Sequence, residues 1–192
     1  MGLRVMLIDS SEERSAIIEQ ALTDHGYQVV GRAGRGDDLL KRVQESQPEV
    51  IIIDLDSPDR DTLEHMRTIS RDQPKPIVMF AENGDSRTIE EAIQAGVSAY
   101  IVDGLNSQRV KPIVDVAIAR FREYQALRDE LEKARSSLAE RKLVERAKGV
   151  LMQQKGMTEE EAYQALRKTA MQNNTRIGEV ARNIIALSDL LG

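Results

Sequence analysis

Short runs of consecutive apolar residues alternate with longer amphipathic segments over the first 120 residues of the chain. The apolar runs cover residues 4–9, 28–30, 50–54, 76–80 and 98–102. A strand that is apolar at every position is buried on both faces, which is typical of a parallel sheet covered by helices. We therefore predict an α/β domain over residues 1–120, with a five-stranded, doubly wound parallel sheet.

A single long helix is predicted after this domain. No glycine lies between Ser107 and Gly149, and Pro112 is close to the start of the segment, where a helix tolerates proline. Over residues 121–140 the apolar positions step by three and four, which indicates a coiled-coil linker whose dimer seam is formed by Tyr124, Leu127, Leu131 and Leu138, with Ala134 between them. The alternative is one long amphipathic helix that packs on its own N-terminal domain.

Residues 141–192 carry the signals of an all-α bundle of three short helices. The long helix is expected to stop at Gly156. Thr158 and Glu161 have the spacing of a capping box for a second helix, which Asn173 and Asn174 end. Thr175 is placed to cap a third helix that reaches about Leu190.

The two halves of the chain differ in charge, although the whole chain has a net charge of only −5. Residues 1–120 contain 14 basic and 21 acidic side chains, whereas residues 121–192 contain 13 basic and 11 acidic ones. An acidic first half and a more basic second half indicate two units with different partners.

The chain has no cysteine, which excludes disulfides, thiolate metal sites and a cysteine nucleophile. No apolar stretch approaches the ~20 residues that a membrane-spanning helix needs, and no signal peptide is evident. We expect a cytoplasmic protein without a membrane partner. With two histidines and no glycine-rich phosphate loop, we also expect no catalytic site, no metal and no cofactor.

The carboxyl ends of the predicted strands carry Asp9, Asp54, Ala81 and Asp103. Parallel strands bring these positions to one edge of the sheet. Asp9 could equally cap the following helix, whereas Asp54 follows the most apolar strand of the chain.

The segment Ile-Ile-Asp54-Leu-Asp-Ser-Pro58 resembles the phosphoacceptor loop of bacterial response-regulator receiver domains, and the resemblance covers residues 3–120. It implies a flavodoxin-like fold with Asp54 in the phosphoacceptor position. Three departures make the acidic pocket degenerate: Ser10 replaces the second acid of the usual pair, Ala81 replaces a hydroxyl residue, and Asp103 replaces a lysine.

With Asp103 in place of a lysine, attraction for a phosphorylated Asp54 becomes repulsion. The repulsion energy of two carboxylates ~4 Å apart is about 4 kcal/mol at an effective dielectric constant near 20. We therefore predict a pseudo-receiver domain that does not use aspartyl phosphate and is controlled by a protein partner.

Four elements of residues 136–188, namely Ala147-Lys-Gly149, Glu161-Ala-Tyr163, Leu166-Arg167 and Ala170-Met171, resemble the ANTAR domain in order and spacing. The resemblance implies an RNA-binding antiterminator that recognises paired hairpins in a leader mRNA. Together with the degenerate receiver, the chain is similar to the nitrate-assimilation regulators of this family. These imply a nitrate- or nitrite-sensing inhibitory protein as partner, and we expect a homodimer at least on RNA. The alternatives are a phosphorylation-dependent regulator acting on DNA and an interaction scaffold.

The chemistry of the bundle fits this interpretation in part. Arg146, Gly149 and Gln153 lie on one helix face, and a glycine in the middle of a helix costs ~1 kcal/mol relative to alanine, so another helix or a ligand backbone must approach it closely. Tyr163, the only aromatic residue of the bundle, has a spacing that favours the core over base stacking. The predicted RNA contacts are Arg146, Lys148, Gly149, Gln153, Arg167, Lys168, Met171 and Arg176.

Overall fold

A computed structural model of the full chain describes residues 2–9, 12–34, 36–82, 84–102 and 107–191. The chain divides into two units, Met1–Gln125 and Ala126–Gly192, and the division falls within one long helix. We refer to them as the receiver unit and the C-terminal unit and describe each by itself.

The receiver unit contains a five-stranded parallel sheet with the strand order β2-β1-β3-β4-β5. Every pair of neighbouring strands is parallel, and the order changes direction between β1 and β3. This confirms the predicted doubly wound α/β fold. The strands are β1 (Arg4–Asp9), β2 (Gln28–Ala33), β3 (Val50–Asp54), β4 (Ile77–Ala81) and β5 (Ala99–Val102).

Helices cover both faces of this sheet, which explains why β3 and β4 are apolar and buried at almost every position. Four helices lie between the strands: α1 (Glu12–Asp24), α2 (Leu39–Ser46), α3 (Arg60–Asp72) and α4 (Ser86–Gln94). One core lies between the sheet and α2, α3 and α4, and includes Leu39, Met66 and Ala92. The other lies between the sheet and α1 and α5 (Ser107–Lys155), and includes Leu22 and Val114.

Aspartates fix the starts of three of these helices. The carboxylates of Asp38, Asp59 and Asp85 each accept a hydrogen bond from the backbone N–H three residues later, at 3.1, 2.7 and 3.0 Å. Side-chain and backbone hydrogen bonds from Thr88 hold the pKa of the Asp85 carboxyl below its usual value. These caps satisfy N–H groups that the first helical turn leaves without a partner.

The C-terminal unit is a bundle formed by the end of α5 with α6 (Glu159–Asn173) and α7 (Ile177–Leu191). Its core contains Val144, Ala147, Leu166, Ala170, Val180, Ala181 and Ile185. Gly156, with φ +62°, ends α5 as predicted, and the capping box of Thr158 and Glu161 is formed in both directions. The side chain of Glu140 accepts a hydrogen bond at 3.2 Å from the N–H of Gly178, in the first turn of α7.

Within the described ranges, no helix is both long and apolar enough to cross a lipid bilayer.

Candidate nucleic-acid interface

Two buried carboxylates lie at the carboxyl edge of the receiver sheet. Asp9 ends β1, Asp54 ends β3, and the two residues are register partners on adjacent strands. Each is only 6% exposed. The Ser15 hydroxyl on α1 donates a hydrogen bond at 3.0 Å to Oδ2 of Asp9. The sheet topology therefore places together two of the three aspartates that the strand-end argument selected.

The next strand ends in Ala81, which is 1% exposed and pairs with Val102 of β5. A methyl group therefore stands at the end of β4. Ser10 and Asp103, the other members of the predicted acidic pocket, lie outside the described residues. Over the part of the chain that the structure describes, no three His, Asp or Glu side chains are close enough together to hold a metal ion.

In the C-terminal unit, Arg146 extends from α5 to the end of α7. Its Nη2 donates to both carboxylate oxygens of Asp189, at 3.0 and 3.1 Å. The two side chains are 62% and 59% exposed, so water screens the pair and it contributes little to stability. The guanidinium predicted to contact phosphate is thus held by an exposed carboxylate.

Lys148 is buried, although an RNA contact is expected to lie at the surface. Its side chain is only 9% exposed, and its Nζ lies 2.7 Å from Oε1 of Glu159 and 2.9 Å from Oε1 of Glu145. Hydrogen bonds to Glu159, first, and to Glu145 raise the pKa of the Lys148 ammonium. The hydrogen bond between Lys148 and Glu159 also lowers the pKa of the Glu159 carboxyl. Lys148 therefore joins α5 to the first turn of α6.

Gly149, the next residue, lies where a side chain would meet open space. A Cβ built on it has no atom of another element within 4 Å. Of the two explanations for a glycine here, a neighbouring helix is excluded within the described residues. The close approach of an external ligand remains. Gln153, four residues later on the same helix face, is exposed.

Three predicted contacts lie on α6. Ala162, Leu166 and Ala170 bury one face of this helix, while Arg167, Lys168 and Met171 are exposed. Tyr163 was expected in the core, but it is 40% exposed. The small and aliphatic side chains spaced by four fill the core positions, so the tyrosine is left on the flank of the helix. Arg176, just before α7, is also exposed.

The predicted dimer seam is open to solvent. Tyr124, Leu127, Leu131 and Leu138 are 63%, 60%, 50% and 55% exposed.

Comparison with known proteins agrees with this architecture. Residues 5–115 match the model of the response regulator receiver domain, and residues 132–185 match that of the ANTAR domain. The chain belongs to the response-regulator family, within the group that carries a C-terminal ANTAR domain.

Relatives that share sequence with this chain include two regulatory proteins. The transcriptional regulatory protein PdtaR of Mycobacterium tuberculosis is 31% identical over 182 residues, which cover 95% of this chain and 89% of PdtaR. The nitrate regulatory protein of Klebsiella oxytoca is 42% identical over 80 residues, which cover 42% of this chain and 20% of that protein.

Solved structures show the same receiver fold. The receiver domain of a modulated diguanylate cyclase from Desulfovibrio desulfuricans superposes with a TM-score of 0.56 at 16% identity, covering 65% of this chain and 99% of that domain. A receiver domain protein from Methanospirillum hungatei gives a TM-score of 0.55 at 18% identity, with coverages of 65% and 99%.

Proposed function

We propose that this protein is an RNA-binding transcription antiterminator. Its C-terminal unit binds paired hairpins in a leader transcript and so prevents a terminator from forming. A sensor protein, rather than phosphorylation of Asp54, controls this activity. The ANTAR match supports RNA as the ligand, and the relative named a nitrate regulatory protein supports nitrate or nitrite assimilation genes as the target.

Gly149 is the observation that carries the proposal. A glycine inside a helix costs ~1 kcal/mol relative to alanine. Among the described residues no packing contact requires Gly149, because a Cβ would meet open space. A residue that lowers stability without a structural reason is typical of a functional site. A phosphate backbone that approaches the helix closely would require the missing side chain.

The test measures both the free energy of unfolding and the RNA affinity of Gly149→Ala. We expect the variant to be more stable by about 0.5–1 kcal/mol and to bind a two-hairpin leader RNA more weakly. Ser137→Ala is the matched control, because Ser137 is exposed in the same helix and lies outside the predicted contacts. It should gain stability and keep its RNA affinity. Unchanged RNA binding by Gly149→Ala would contradict the proposal.

The RNA panel contains two-hairpin, single-hairpin and scrambled RNAs and duplex DNA, each at two salt concentrations. Tight binding that needs both hairpins is the expected result. Equal or stronger binding to duplex DNA would instead favour the alternative of a DNA-binding response regulator.

Dimerisation through the exposed seam explains a requirement for two hairpins. Two linked bundles bind two adjacent hairpins with a gain in effective concentration. A glutamate in place of the half-exposed Leu131 would put like charges together in this seam. Leu131→Glu should therefore lower affinity for two-hairpin RNA while leaving single-hairpin binding unchanged.

Control by a protein partner fits the surface of the receiver unit. A groove between α4, β5 and α5 is lined in part by apolar side chains, which include Ile93 and Val116 at 49% and 54% exposure. Arg109 and Arg120 also line it. We propose that the inhibitory sensor docks on this unit, and Val116→Glu should then relieve inhibition by the sensor without changing RNA affinity of the protein alone.

A further inference from the structure

Tyr163, Arg167 and Met171 form a stripe along the outer flank of α6, which we call the α6 stripe. The three residues are spaced by four, so their side chains are neighbours on the helix surface. Tyr163 is 40% exposed and Met171 72% exposed, and Arg167 is also exposed. The bundle core uses a different face of α6, so packing does not require an aromatic ring at position 163.

The guanidinium of Arg167 is available within this stripe. The nearby acidic residues in the first turn of α6 bind elsewhere: Glu159 pairs with Lys148, Glu160 accepts from Gln164, and Glu161 closes the capping box. No ion pair or hydrogen bond of Arg167 occurs among the described residues. Arg146 and Lys148, by contrast, are both paired with carboxylates.

An exposed aromatic ring beside an available cation suits an unpaired nucleotide. The grooves of double-stranded RNA expose little sequence information, and proteins read unpaired loop bases by stacking them on aromatic rings and arginine planes. A tyrosine ring offers the π face, arginine offers charge for a phosphate, and methionine offers a polarisable apolar surface.

We infer that the α6 stripe is the site where an unpaired base of the hairpin loop stacks on the ring of Tyr163. Arg167 binds the phosphate of that nucleotide, and Met171 packs against the neighbouring base. This inference rests on the proposed RNA-binding function and assigns the residue that reads the loop.

The test is a double-mutant cycle on binding to the two-hairpin RNA. Tyr163→Leu should weaken binding about 5- to 150-fold, which is the range for one stacked base. Tyr163→Phe keeps the ring and should retain wild-type affinity. Each loop position is then made abasic in turn. At the stacked position, the abasic RNA should weaken the wild type but not weaken Tyr163→Leu any further. Thr169→Leu, also an exposed position of α6, is the matched control and should bind like the wild type.

A second measurement does not depend on the folding of any variant. 2-Aminopurine placed at the stacked loop position should change its fluorescence when the wild-type protein binds, because stacking alters its emission. Wild-type affinity in a folded Tyr163→Leu variant, zero coupling at every loop position, or no fluorescence response at any position would each overturn the inference and leave the proposed function standing. Failure of the wild type to bind the two-hairpin RNA would overturn both.

Discussion

The two units place the side chains of their candidate sites in opposite ways. In the receiver unit, Asp9 and Asp54 are buried at the edge of the sheet. In the C-terminal unit, Arg167 and Met171 extend from a helix surface into solvent. Backbone topology brings strand ends together, so the first site is set by the order of the strands. A side chain on a helix surface binds a ligand more readily when its neighbours leave it unpaired.

The units also have separate hydrophobic cores and different charge. The two cores against the sheet involve residues of the receiver unit only, and the core around Leu166 involves the C-terminal unit only. The acidic balance of residues 1–120 disfavours RNA, whereas residues 121–192 have an excess of basic side chains. We expect the two units to respond differently to the same kind of change.

The largest expected effect is on folding of a single unit. Leu166 is 0% exposed, and Leu166→Ala should lower the free energy of unfolding of the C-terminal unit by about 2–5 kcal/mol. Hydrogen exchange followed by mass spectrometry should then accelerate in α6 and α7 but not in β3. Ile52→Ala, at a fully buried position of β3, should give the reverse pattern. Equal acceleration in both units would contradict their separation.

A smaller effect is expected at the Arg146–Asp189 pair, where the predicted phosphate contact is held by a carboxylate. Arg146→Ala should weaken RNA binding and reduce the slope of log affinity against log salt concentration by about 0.7–0.9, the value for one phosphate contact. Asp189→Asn frees the guanidinium and should strengthen binding. Arg128→Ala, an exposed arginine outside the predicted contacts, serves as the control. If Asp189 competes with RNA for the guanidinium, the two substitutions change RNA affinity in opposite directions. A purely structural contact would not give this result.

Lys148 should affect stability more than RNA binding, unlike Arg146. The pKa of Glu159 is lowered from 4.5, so its contribution to stability is present above that value and is lost as the pH falls through the folded pKa. The pKa of Lys148 is raised from 10.5, so its contribution is present below that value and is lost as the pH rises through the folded pKa. Lys148→Met should therefore have a lower Tm than the wild type at neutral pH, with a gap that closes below pH 4.5. A gap of the same size at acid pH would contradict the ion pair as its cause.

Sequence reasoning predicted elements better than side-chain environments. The strands, the glycine at the end of α5 and the capping box of α6 follow from periodicity and local backbone chemistry, and all are found. The burial of Lys148 was missed because it depends on Glu159, which is 11 residues away in sequence. The two side chains meet only because the chain turns at Gly156. Glu145, three residues before Lys148, was the one local signal. Tyr163 was misplaced because its spacing fits a core position as well as a flank, and only the packing of Leu166 distinguishes them.

The smallest effect is expected at Asp54, whose substitution should change RNA binding and antitermination very little. Asp54 is buried next to its register partner Asp9, and Asp54→Asn removes one of two neighbouring negative charges without changing the size of the side chain. Leader-RNA affinity and antitermination in a reporter strain should stay at wild-type levels, whereas Gly149→Ala should lower both. A folded Asp54→Asn protein that fails to antiterminate would mean that the pocket still transmits a phosphorylation signal, and control by a protein partner alone would then be wrong.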